Sequence, residues 1–99
     1  MPMLHILNRS PNMRSSLQSC LRVIQKSDAI ILIEDAVIAA KKDNHTEAFI
    51  NNAMNVFVLE PDLKARGIQA DQVIQGIELV DYKGFVKLTV KYNGVQTWS

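Results

Sequence analysis

The chain has 99 residues, 47% of them hydrophobic, with eleven Lys and Arg against ten Asp and Glu. That is the length of one domain, spanning 1–99, with enough apolar material for a core and no excess or cluster of positive charge to grip a nucleic acid tightly. A single cysteine, Cys20, rules out a disulfide scaffold, and the longest apolar run, five residues, cannot span a membrane.

The N-terminal Met-Pro-Met-Leu-His lacks the basic and apolar regions of an export signal, so a reducing cytoplasm is the expected location. A domain of this size buries only roughly 60–65% of its unfolded surface, which leaves a small stability margin. Its near-neutral charge gives little self-repulsion, which suits a subunit held by partners.

In chain order, Met3–Leu7 reads as a first strand, stopped by Asn8-Arg9-Ser10-Pro11. A helix is expected from Ser15, where Ser15 and Gln18 have capping-box spacing and Leu17, Leu21 and Ile24 form an apolar stripe. Ala29–Ile33 is wholly apolar and rich in isoleucine, as in a strand buried on both faces. Glu34–Lys42 reads as a helix, Asp43-Asn44-His45 as a turn, and Glu47–Asn52 as a short helix. Asn55–Leu59 is the next strand. Pro61–Arg66 is a helical segment closed by Gly67, and Ile77–Val80 is a further short strand.

The segment Tyr82–Tyr92 fits two periods. Val86, Leu88, Val90 and Tyr92 alternate with Lys87, Thr89 and Lys91, which favours a strand. Phe85, Leu88 and Tyr92 also share one helical face. Pattern alone leans to the strand. Alternating strands and helices imply a parallel sheet, whose ligands gather at the carboxyl ends of strands. Asn8–Pro11, Glu34-Asp35 and Glu60-Pro61 would line that edge.

The four glycines, at 67, 76, 84 and 94, are too scattered for a phosphate loop, and no serine sits in a nucleophile elbow. His5 and His45 are far apart and have no cysteine or histidine at ligand spacing, so neither zinc nor any other metal or cofactor is expected. His5 reads as a satisfied histidine inside a strand. Glu34-Asp35 fits acid–base work, but also a first helical turn complementing the helix dipole. Lys83, Lys87 and Lys91 would make one stripe on a helix, and a solvated face explains them equally. Cys20 falls at the edge of an apolar helical face, more than a turn from the N-terminus, which favours a buried, inert thiol.

Taken together, several segments resemble the TusB/DsrH family. They are Met3-Leu4-His5 with Asn8-Arg9-Ser10-Pro11, Ser16-Leu17-Gln18-Ser19-Cys20-Leu21 and Ile33-Glu34-Asp35-Ala36-Val37-Ile38-Ala39-Ala40. Leu59-Glu60-Pro61-Asp62-Leu63-Lys64-Ala65-Arg66-Gly67, Val80-Asp81-Tyr82, Phe85-Val86-Lys87-Leu88-Thr89 and Gln96-Thr97-Trp98 complete the set. They run in order over nearly the whole chain, although none is by itself a catalytic motif, and Ser99 after Trp98 departs from the family pattern.

The resemblance implies a flavodoxin-like three-layer α/β/α domain with a small, mostly parallel sheet, and it makes Tyr82–Tyr92 a helix against the pattern reading. It implies a subunit of a sulfur-relay complex, without complete catalytic machinery of its own. The partners would be TusC/DsrF-like and TusD/DsrE-like subunits in a heterohexamer, with a TusE/DsrC-like acceptor downstream. In that family the main sulfur-carrying cysteine lies on the TusD/DsrE-like partner. One branch serves 2-thiolation of the tRNA wobble uridine, the other sulfur oxidation. A cysteine at the position of Cys20 is more usual in the oxidation branch, which makes Cys20 the candidate persulfide carrier here.

Two other roles compete: a scaffold that only completes the oligomer, and a free small-molecule binder using the strand-end loops. Trp98 is the penultimate residue of the Gly94–Ser99 tail. An indole there needs docking, and the expectation is a pocket on a neighbouring subunit, with Gly94 letting the chain turn away from the preceding segment.

Overall fold

The computed structural model describes residues 2–8, 20, 22, 24–25, 27–42 and 55–98. The helix start expected at Ser15, the turn over 43–45 and the helix over 47–52 lie outside these residues.

Five strands form the sheet: β1 (Met3–Leu7), β2 (Ala29–Leu32), β3 (Val56–Leu59), β4 (Glu78–Val80) and β5 (Gly94–Trp98). Their order is β4-β3-β2-β1-β5, and every neighbouring pair is parallel. The β-branched and leucine-rich runs fall on the central strands, where β2 is buried at every position. Full burial of such a side chain contributes on the order of 1.5–3 kcal/mol. The fold is flavodoxin-like α/β, as expected.

Topology explains the layering. From β1 to β4 the chain always advances in one direction across the sheet, so right-handed crossovers place those connections on one face. Leu7, Ile30, Leu32, Val56 and Val58 pack there with Cys20 from the first connection and Val37 from the 3-10 helix Glu34–Ala40 of the second. From the third come Leu63, on helix α1 (Glu60–Ala65), and Ile68. The return from β4 to β5 runs the other way, and its helix α2 (Tyr82–Lys91) lies on the opposite face. There Leu88 packs on Leu4, Ile6, Ala29 and Ile31, flanked by half-buried Phe85 and Tyr92.

Three expectations are corrected, the first a pattern reading that the family resemblance had already opposed with a helix. Tyr82–Tyr92 is not a strand. Asp81 caps the helix by accepting from the Gly84 N–H at 2.8 Å, and the alternating Val86 and Val90 are 60% and 79% exposed instead of inward. Gly94 is not a free turn either. It pairs with Met3 at the start of β5, an edge strand that the sequence did not announce. The segment expected as a helix over Glu34–Lys42 is a 3-10 helix ending at Ala40.

Gly67 closes α1 with φ 71°, and its N–H donates to the Lys64 carbonyl at 3.1 Å. A Cβ at Gly67 would meet nothing within 4 Å, so Gly67→Ala costs backbone strain alone. We expect a loss of about 1 kcal/mol, read as a fall of roughly 4–8 °C in a thermal melt. An unchanged melt would mean that this turn relaxes freely.

Candidate functional site

Cys20 lies in the connection between β1 and β2, where the Ile24 N–H donates to its carbonyl at 3.0 Å, one helical turn on. Its side chain is 0% exposed within the core cluster shared with Leu7, Ile30 and Val37. Burial, and then the negative charge of Asp28, push the thiol up to about 12. Sulfur transfer needs a thiolate. In this fold Cys20 is held as the neutral thiol.

The strand period brings three more groups to the same face. In β1, His5 points with Leu7, and Asp28 precedes Ile30 by two residues at the entrance to β2. The His5 Nε2 lies 3.0 Å from Asp28 Oδ2, and both side chains are buried. On the other side of the ring, the Trp98 Nε1–H donates to His5 Nδ1 at 3.1 Å. Tryptophan can only donate, so Nδ1 must offer a lone pair and the proton sits on Nε2, directed at Asp28.

Asp28 also accepts from the Met3 N–H at 2.8 Å and the Gln25 N–H at 3.1 Å. Burial works to raise its pKa, but these bonds, with the bond and charge of His5, overbalance it and hold the carboxyl below its ordinary value. Both ring nitrogens of His5 are therefore engaged, and neither is free to act as a base toward Cys20. Trp98 is docked on its own sheet, paired with Leu7 and packed half-buried against the Cys20 cluster.

At the carboxyl ends of β2 and β3 the described polar contacts are structural. The Glu34 N–H, on a residue with φ 51°, donates to Asp62 Oδ2 at 2.6 Å. The Asp35 Oδ1 accepts from Arg66 Nε at 3.1 Å and Nη2 at 2.9 Å. These contacts join the 3-10 helix to α1 and leave Asp35 paired to a cation. Lys83, Lys87 and Lys91 do form an exposed stripe on α2, beside exposed Tyr82, Val86 and Val90. A groove of about 330 Å³ lined by Glu60, Leu63, Lys64, Ile68 and Leu79 touches neither His5, Asp28 nor Trp98. Among the described residues no three His, Cys, Asp or Glu side chains are grouped to hold a metal ion, and no helix is long and apolar enough to cross a membrane.

Asp28 escaped sequence reasoning. Its signal was an acid placed directly before a wholly apolar strand, where an unpaired carboxylate would be costly.

The family described as DsrH like protein matches residues 9–95. Protein TusB of Escherichia coli strain K12 is 38% identical over 97 residues, covering 97% of this chain and 100% of its own. Protein TusB of Pectobacterium parmentieri is 36% identical over the same spans. Among solved structures, the ychN protein from E. coli superposes with a TM-score of 0.77 at 18% identity, over 99% of this chain and 100% of its own. Thermotoga maritima Tm0979 gives 0.63 at 20% identity, over 92% and 93%. At such identities these two structures speak for the fold alone.

Proposed function

The chain belongs to the DsrH family, and from that premise we propose that it is a subunit of a cytoplasmic sulfur-relay complex, assembled with TusC/DsrF-like and TusD/DsrE-like subunits as a heterohexamer. The complex passes a terminal sulfur from a persulfide to the thiolate of a TusE/DsrC-like acceptor, freeing the donor thiolate. The end use favoured here is 2-thiolation of the tRNA wobble uridine, because the full-length relatives at 36–38% identity are TusB proteins. Cys20 is the observation that favours the second reading, sulfur oxidation.

Within the complex, the observation that carries the role is the sealed thiol: Cys20 is fully buried and protonated at rest. The subunit then acts through its surfaces, half-buried Trp98 among them, and the moving sulfur stays on a partner unless assembly opens the Cys20 site.

Complementation of a bacterium lacking its own TusB tests this, with thiolated tRNA as the readout. We expect wild type and Cys20→Ser to restore thiolation equally. Failure of both, with the chain expressed and folded, would remove the thiolation reading. Failure of Cys20→Ser alone, with that variant folded and assembled with its partners, would move the sulfur onto this subunit.

A further inference from the structure

The buried chain Trp98–His5–Asp28 has a property that none of its members has alone. The His5 proton on Nε2 is committed to Asp28, and the lone pair on Nδ1 is committed to the Trp98 N–H. A second proton on the imidazole has only Nδ1 to occupy. The ring then presents an N–H to the N–H of Trp98 across 3.1 Å, and that hydrogen bond cannot persist. The imidazolium keeps its contact with Asp28, which stays ionised because three hydrogen bonds hold it below the ordinary carboxylate value.

The consequence falls on β5. This strand is an edge, its Val95, Gln96 and Thr97 side chains are exposed, and Trp98 is the large side chain that anchors its carboxyl end. We propose that Trp98, His5 and Asp28 form a proton-operated latch on the C-terminal strand, closed when His5 is neutral and opened when its second nitrogen is protonated. Opening lifts the indole from the core layer that contains Cys20.

The groups around His5 support a switch at this ring. Asp28 faces it from the entrance to β2, and Cys20, from the connection above, is coupled to the charge on Asp28. Ile30 of β2 and Gln96 and Trp98 of β5 carry no ionisable group. Any use of the latch in exposing Cys20 rests on the sulfur-relay reading, whereas its mechanics do not.

Trp98 is the only tryptophan of the chain, so its emission reports the latch directly. The full-length protein is taken stepwise toward acid until the ring-nitrogen NMR shifts of His5 report its protonation, with acrylamide quenching and far-ultraviolet circular dichroism followed together. The expected result is a red shift and increased quenching with secondary structure retained, tracking protonation of His5 in its ring-nitrogen NMR shifts. The His5→Gln variant, where it folds, should lack the transition. Unchanged emission once the His5 ring nitrogens report protonation overturns the proposal, as does quenching that rises only in step with loss of the dichroism signal. Neither readout involves sulfur, so failure here leaves the relay reading standing, and failed complementation leaves the latch standing.

Discussion

Asp28→Ala should destabilise the chain more than any surface change, by about 3–5 kcal/mol, enough to leave much of it unfolded at ambient temperature. Asp28 accepts from the Met3 and Gln25 N–H groups and stands against His5 Nε2. Alanine strands these donors in or beside the core, and each buried group left unpaired costs about 1–3 kcal/mol, part of which water entering the vacated space recovers. Asp28→Asn keeps the shape but turns an NH₂ toward one set of donors, so its loss should be smaller.

The pH dependence has a definite sign. The folded pKa of Asp28 lies below the ordinary 3.8. Its stabilisation is therefore complete above that value and is lost as pH falls through the lower folded value. Urea melts of wild type should show this acid-side decline, and Asp28→Asn should lack the contribution. A variant Asp28→Ala within about 1 kcal/mol of wild type would show that the network is dispensable.

The contrast between Asp28 and the strands shows what was legible beforehand. Ala29–Ile33 and Asn55–Leu59 announced β2 and β3 to within a residue because both faces of a central parallel strand are buried and the run has to be continuously apolar. Helix α2 misled because it has three faces. Phe85 and Leu88 meet the sheet, Tyr82 and Val86 are apolar but exposed, and the lysines are solvated, so an apparent alternation arises without any strand. Strand β5 was invisible for the opposite reason. As an edge it needs little apolar content, and Val95-Gln96-Thr97 carries no periodic signal.

The candidate site divides in the same way. The burial of Cys20 follows from local helical spacing, and a satisfied His5 follows from its place in a strand. The identities of the partners do not, because they lie 23 and 93 residues away along the chain and are set by sheet order.

Alkylation of Cys20 in the native chain should run about 1,000-fold slower than in denaturant. The thiol is pushed up to about 12 from an ordinary 9.0, so at neutral pH the reactive thiolate is scarcer by that factor, before any steric shielding. Intact mass after timed exposure to iodoacetamide measures this with one possible adduct, since Cys20 is the only cysteine. Cys20→Ser should add a stability loss of about 1–3 kcal/mol, because it puts a hydroxyl among the apolar side chains that surround the thiol, such as Leu7, Ile30 and Val37, whereas Cys20→Ala should cost less than the serine variant. Repeating the alkylation on the assembled complex separates two roles. Slow labelling there keeps the thiol structural and places the moving sulfur on a partner. Labelling that accelerates on assembly shows that the partners uncover Cys20, and it makes the residue a carrier. Fast labelling of the isolated chain, within about ten-fold of the denatured rate, would overturn the sealed thiol itself.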